Sequence, residues 1–421
     1  MKKLLATVLT LALSAAVFAG CGDNSSTKGG AATSASDGAK ITLSVFDAHA
    51  YGLDEYAKMV AKFEEEHPGV KIEVQHAAND SASLLQSRVN ANDIPDVFAV
   101  ESGTAASRYH EYAYNWSKDR DVIDLFHPEA IATSTDDEGN VMSLPWTYEN
   151  LGLLYNKDLF KQAGITELPK TLDELEEACK KLKAAGITAF SIAAKDAWVL
   201  GQLSTHFMMD KTIDADGVVK ALNDGSLTFE KMPNFQNLFR FLDLAKEYGP
   251  SKPLEIDWET SENKLANNQA AIISMGDWAQ SVLDSFNPDA NLAFLPAPVS
   301  SNPGDATILS SSNWTYIVNK NSPHLELAKE YAKYILTSDM GQYWMADGVG
   351  VVPAVKTERE VKGKLANDAK SYVSAGQTNG WIHTIAPSGF SATVGSYLQA
   401  YMTGDMSAEE VTREFQNFWK S

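Results

Sequence analysis

The sequence predicts an α/β fold, with helices covering a largely parallel sheet and the chain divided between two large lobes. Short β-rich runs alternate with amphipathic helical runs over residues 40–101, the signature of strand–helix–strand units. The chain of 421 residues is too long for one hydrophobic core. Beyond the N-terminal leader no stretch approaches 18 consecutive apolar residues, so no later span is expected.

The leader comes first. Met1-Lys2-Lys3 is basic, Leu4 to Ala19 is almost wholly apolar, and Ala19-Gly20 precede Cys21. That order makes a secretory signal peptide over residues 1–20. Cys at the boundary resembles the lipobox of bacterial lipoproteins, which implies lipidation of Cys21 and anchoring to the outer face of the cell membrane. Residues 21–40 then form a lipidated tether, because "GDNSSTKGGAATSASDGA" has too little apolar surface to offset its ordering entropy.

Folded structure is expected from Ile41. "KITLSVFDA" reads as a strand and Leu53 to Glu66 as a helix, with Tyr56, Ala57, Val60 and Phe63 on its apolar stripe. Pro68 ends that helix, "VKIEVQHA" is the next strand, "ASLLQSRVNAN" a helix and "PDVFAVE" a short buried strand. Ligands of such sheets gather at the carboxyl ends of the strands. The loops carrying Asp47, His49 and Tyr51, and Glu101 and Ser102, therefore face any cleft. Further on, Thr171 caps a helix in which Cys179 sits beside Leu175, Ala178 and Leu182, a buried hydrophobe.

Residues 144–182, "LPWTYENLGLLYNKDLFKQAGITELPKTLDELEEACKKL", resemble the signature of family 1 extracellular solute-binding proteins, the carbohydrate-binding components of ABC importers. "QAAIISMGDWA", "IVNKNSPHLELAKEYAKYILTSDMGQYW", "DGVGVVPAVK" and "EEVTREFQNFW" follow in the family's order. The resemblance implies a periplasmic-binding-protein-like fold: two lobes, each a mainly parallel sheet flanked by helices, with a ligand cleft between them. Lobe 1 is expected over 41–147 and 305–350, and lobe 2 over 148–304 and 351–421. Crossings are placed near 146–149, 297–305 and 350–353, in extended or Gly/Pro-rich sequence. It also implies a permease with a separate ATPase as partners, contact with the membrane through the lipid anchor alone, and a monomer.

A pyranose offers apolar C–H faces and a rim of hydroxyls, so it calls for aromatic platforms with carboxylates and amides. Trp278, after Gly276 at the end of "AAIISM", is expected as a platform, with Asp277 as a helix cap or hydroxyl acceptor. Trp381 in a polar loop, Trp314, Tyr148 at the first crossing and Trp198 are further candidates, each weighed against plain packing. Asp47, His49 and Glu101 complete the set at strand ends. Trp116, Trp258, Trp344 and Trp419 are assigned to packing or surface.

Charge and motifs narrow the remaining classes. A formal charge of −20 disfavours phosphate backbones, so nucleic acid is not expected. No metal site, cofactor or catalytic residue is assigned. There is no G-x-S-x-G or H-E-x-x-H, and "SENK" at 261–264 lacks its K-T-G and S-D-N companions. "DADG" at 214–217 lacks the rest of a calcium loop. Arg88, Arg108, Arg120, Arg240, Arg359 and Arg413 are dispersed, which disfavours an anionic ligand. The reading is a binding protein that captures a sugar, expected to be an oligosaccharide, without chemistry. A tethered glycan-processing enzyme and a binder of a non-sugar solute stay open as alternatives.

Overall fold

The computed structural model describes residues 41–77, 81–136 and 138–421. The expected signal peptide, Cys21 and the whole expected tether lie outside these residues. The strands are β1 (Ile41–Asp47), β2 (Val70–His76), β3 (Val97–Glu101), β4 (Leu144–Pro145), β5 (Thr147–Asn156), β6 (Ile272–Gly276), β7 (Leu292–Leu295), β8 (Ile308–Ser311), β9 (Trp314–Val318), β10 (Val352–Pro353) and β11 (Thr378–Asn379).

The first sheet runs in the order β2-β1-β3-β9-β4. β1 is parallel to β2 and β3, while β9 is antiparallel to β3 and β4. The central strand β3, VFAVE, is buried on both faces and reads as a continuous apolar run, whereas the edge strand β2, VKIEVQH, alternates. Leu43, Val45, Val97 and Ala99 enter one core, and Phe46, Phe98, Val100 and Ile317 the other. The helix Leu53–Glu66 buries Tyr56, Met59 and Phe63 on one stripe. Ala57, expected on that stripe, is exposed, because Met59 rather than Ala57 continues the three-to-four spacing from Tyr56.

The second sheet is mixed rather than mainly parallel, which corrects the expectation for that lobe. β5 is antiparallel to β6, β7, β8 and β10, and only β11 runs parallel to its neighbour β8. Strand–helix–strand alternation sets the direction of consecutive strands: β6 and β7, joined by the helix Gln280–Phe286, both run opposite to β5. It does not say what lies between them. Here β5 does, ten residues long and paired along its whole length.

Local signals in this half are met. Thr171 and Glu174 close a capping box on the helix Leu172–Ala184. Cys179 on that helix is fully buried, and burial pushes its thiol up to about 12. The helix Ala197–Thr205 crosses the helix Phe390–Thr403 at two glycines. A Cβ on Gly201 would stand 2.0 Å from the Ser391 carbonyl oxygen, and one on Gly395 would stand 1.8 Å from that of Ala197. The close crossing sets the position of Trp198.

Three stretches of chain join the sheets side by side. The first is Trp146, between β4 and β5. The second is Ser312-Asn313, between β8 and β9, later than the expected 297–305. The segment 297–307 stays with the second sheet because Ala297 bridges Thr307 and β8 pairs with β5. Its Gly/Pro-rich turn is closed locally: Ser300 Oγ donates to Asp305 Oδ2 at 2.6 Å, and Asn302 Nδ2 donates to Asp305 Oδ1 at 3.1 Å. The third begins at β10, which pairs with Thr147 and Tyr148. Residues 354–356 still bond to residues 125–127, and the second sheet is rejoined at the helix Lys364–Ser374, where Asp368 accepts from the Phe294 amide at 2.8 Å. The stretches are laced together: the Trp146 amide donates to the Trp314 carbonyl at 3.2 Å and the Ala354 amide to the Trp146 carbonyl at 2.9 Å.

Candidate functional site

The edges of the two sheets meet at these stretches, and most of the expected residues stand there. On the first sheet, β1 and β3 end at Asp47 and Glu101, and the antiparallel β9 starts at the same edge, so that Trp314 is paired in register with Glu101. On the second, β5 starts at this edge and β6 ends there, with Leu151 opposite Gly276. β8 and β11 end there too, delivering Asn313 and Trp381.

The first-sheet edge is an aromatic box around His49. Its ring lies 4.2 Å from Trp146, 5.2 Å from Trp314 and 5.8 Å from Trp344, centroid to centroid. Trp146 and Trp344 stack on each other at 4.7 Å. Asp47, fully buried, binds the His49 ring nitrogen Nδ1 and accepts from the Tyr316 hydroxyl at 3.0 Å. Burial alone would raise the Asp47 carboxyl, but the contact with His49 outweighs it and holds the carboxyl below its ordinary range. Both Asp47 oxygens thus hold the box together. His49 Nε2 and the indole nitrogens of Trp146 and Trp344 are buried without partners.

At the second-sheet edge, Asp277 is also committed. It is fully buried, and Asn150 donates to both of its oxygens, from its amide at 3.0 Å and from Nδ2 at 2.6 Å. Ser310 in turn donates to Asn150 Oδ1 at 2.7 Å. Trp278, next in sequence, folds back over Gly276, where a Cβ would meet its ring at 1.9 Å. Glycine is required there by close approach, not by backbone conformation. The Trp278 and Trp381 rings are parallel, 11° apart with centroids 5.6 Å apart, an offset stack. Their separation leaves no slot for a sugar ring between them, and both rings are buried. Behind Trp381, His383 is buried and its Nε2 lies 2.6 Å from Asn313 Oδ1.

Across the seam, Tyr51 from the first-sheet loop meets Trp258 edge-on at 5.6 Å, within hydrogen-bonding reach of Trp278. Trp198 is partly buried, and Asp196 beside it accepts from the Trp258 amide at 2.7 Å. Tyr148 is partly buried on β5 opposite Val352. Trp258, assigned to packing or surface, stands here as well, and so does Glu149. Their signals were weak: Trp258 opens a helix, and Glu149 lies in a crossing where Trp146 and Tyr148 draw attention.

The carboxyls at the seam share an electrostatic character. Burial pushes Glu101 up to about 7. Burial and then the Asp277 charge push Glu149 up to about 8. Burial raises Asp277 to about 7 against the pull of its Asn150 bonds. Burial, then Glu259, puts Glu262 well above the carboxylate range. None of the leading causes of these shifts is a lysine or an arginine. The edges therefore present carboxyls that are both donors and acceptors near neutral pH.

This has a consequence for stability. A raised acid keeps its proton in the folded protein at a pH where the unfolded chain has released it, so stability falls as pH rises toward the folded value. Buried His206 and His383, lowered to about 3 by burial, act with opposite sign, but only up to their ordinary range near 6.5. The melting temperature is expected to fall between about pH 6.5 and 8.5, and Glu149→Gln to flatten the slope. A flat or rising profile in calorimetry would contradict the buried carboxyls.

Among the described residues no helix is long and apolar enough to cross a membrane, and no group of three or more metal-binding side chains is placed to hold an ion. The family model described as bacterial extracellular solute-binding protein matches residues 49–342. The melibiose/raffinose/stachyose-binding protein MelE of Bacillus subtilis is 26% identical over 347 residues, 78% of this chain and 76% of that protein. The multiple sugar-binding protein of Streptococcus mutans is 25% identical over 358 residues, 80% of this chain and 82% of that protein. In structure, a sugar transporter of Bacillus licheniformis solved in complex with stachyose superposes with a TM-score of 0.76 at 22% identity, over 90% of this chain and 99% of that one. That likeness establishes the two-lobed fold.

Proposed function

Because this chain belongs to the bacterial extracellular solute-binding protein family, we propose that it captures a sugar, an oligosaccharide, between its sheet edges and delivers it unaltered to the permease of an ABC importer. The observation that carries this reading is the seam itself: indole and phenol rings beside buried carboxyls and amides, with no lysine or arginine paired to Glu149 or Asp277. Such a surface matches a neutral ligand with apolar faces and a hydroxyl rim, and offers little to an anion. A platform that removes about 100 Å² of apolar surface contributes about 2.5 kcal/mol. Three approach the roughly 8 kcal/mol of a micromolar complex before ordering costs.

The lobes are assigned to the two sheets, and the hinge to Trp146, Ser312-Asn313 and the 350–363 stretch. A ligand that touches both edges favours the closed arrangement by its differential affinity for it. The acylated Cys21 holds the monomer at the outer face of the membrane, and a separate ATPase supplies the energy of import.

The test is a titration of the purified protein with melibiose, raffinose, stachyose and monosaccharides. Tryptophan fluorescence and product analysis are followed together. A saturable change with intact sugar is expected. Cleavage of any glycan would replace this reading with an enzyme, and saturable binding confined to non-sugar solutes would replace the ligand class.

A further inference from the structure

At the seam, Glu262 is a fully enclosed carboxyl whose surroundings in the protein do nothing for it. It lies on the helix Trp258–Ala266, is fully enclosed, and has no hydrogen-bond partner at either oxygen. By contrast, Asp47 is held by His49 and Tyr316, Glu149 accepts from Thr147 at 3.0 Å, and Asp277 accepts twice from Asn150. Leaving a carboxyl buried and unpaired is costly, the more so when it is ionised.

Its position gives the direction in which it points. Glu262 follows Trp258 by four residues, so the two side chains leave the same helix face one turn apart. Trp258 meets the ring of Tyr51, and the Glu262 charge acts on the Tyr51 phenol. The neighbouring Ser261 points elsewhere, donating to the Ser191 carbonyl inside its own lobe. Glu262 therefore lies on the Trp258 face of its helix, the face that Tyr51 meets where the sheet edges come together.

We propose that Glu262, Trp258 and Tyr51 form a sugar subsite, in which one sugar unit lays its apolar face on Trp258, donates hydroxyls to the Glu262 carboxyl and is closed over by Tyr51. The proposal rests on the sugar-binding reading above and adds a location and a chemistry to it. The unit is uncharged and offers at least one free hydroxyl donor. Two donors on adjacent carbons would satisfy both orphan oxygens at once. A leucine would fill the same volume without the penalty, so the acid is expected to cost the free protein stability and to return it as affinity.

The experiment compares the wild type with Glu262→Leu and Glu262→Gln. Each is melted without sugar and titrated calorimetrically with melibiose, raffinose and stachyose. Glu262→Leu is expected to melt no lower than the wild type, yet to bind the preferred sugar about tenfold or more weakly. Glu262→Gln keeps an acceptor and a donor and is expected to fall between the two. Unchanged affinity in Glu262→Leu would overturn the subsite alone. A lowered melting temperature or failure to fold would mark the carboxyl as structural and overturn it also. A wild type that binds none of the sugars would remove the parent reading and the subsite together.

Discussion

Replacing Trp278 with alanine is expected to weaken sugar binding at least about tenfold, the effect of losing one aromatic platform worth about 2.5 kcal/mol less some relaxation. The indole is placed by three features at once. It lies on the bare Cα of Gly276, it stacks on Trp381 with centroids 5.6 Å apart, and it stands within reach of the Tyr51 hydroxyl. Its removal takes away its own face and frees Trp381 to tilt, so the loss should exceed that of an isolated ring. Trp278 is only 7% exposed, so Trp278→Ala also costs stability, about 3–5 kcal/mol for a buried indole. Trp278→Phe separates the effects by keeping an apolar face with less disturbance, and an intermediate affinity is expected. Titration of both variants at a temperature where each is folded gives the answer. Wild-type affinity in Trp278→Ala would remove this residue from the site.

The second large effect is expected at Gly103. It follows β3 at the first-sheet edge with φ 67° and ψ −128°, a conformation that L side chains rarely adopt. A Cβ there would lie 2.0 Å from the carbonyl oxygen of Thr384, which belongs to the segment after β11 on the other side of the seam. Ser102 beside it donates its amide to the Asn313 carbonyl at 2.8 Å, so the approach sits next to the chain passages. Gly103→Val therefore strains one loop and wedges the two edges apart. An overlap of this kind costs about 3 kcal/mol, or roughly a hundredfold in apparent affinity if the closed arrangement is the one that binds. Small-angle scattering with and without sugar provides the independent readout: the wild type is expected to contract and Gly103→Val not to. A variant that contracts and binds like the wild type would mean that this apposition is not the sugar-bound state.

Particular residues show why some of the site was legible and some was not. Trp278 could be read because its cause is local: a buried strand, a glycine that makes room and an indole that fills it, all within seven residues. Thr171 and Cys179 were legible for the same reason, since a cap needs only the next turn and a buried helical face only its own spacing. Asp47 was visible as a strand-end acid, yet beside its local partner His49 its second oxygen is taken by Tyr316, 269 residues away. Asp277 was visible as an acid beside an indole, yet its partner Asn150 is 127 residues away. Trp258 and Glu262 lay in the run "WETSENK", where Trp258 reads as packing or surface and a chance enzyme motif carries no weight. Nothing nearby in sequence indicates that Tyr51 closes on them.

Periodicity, caps and breakers act over a turn or a strand, and the chain by itself therefore determined the α/β class, the order of β1, β2 and β3 with the helices between them, and the strand ends that carry the edge residues. Which strands pair across hundreds of residues was decided only in three dimensions. That pairing put β5 between β6 and β7, held the 297–307 segment on the second sheet, consumed Asp47 and Asp277 in internal bonds and left Glu262 unpaired. The physical reason is that a carboxyl's role is set by what surrounds it, and its surroundings here come from distant segments brought together when the two sheet edges meet.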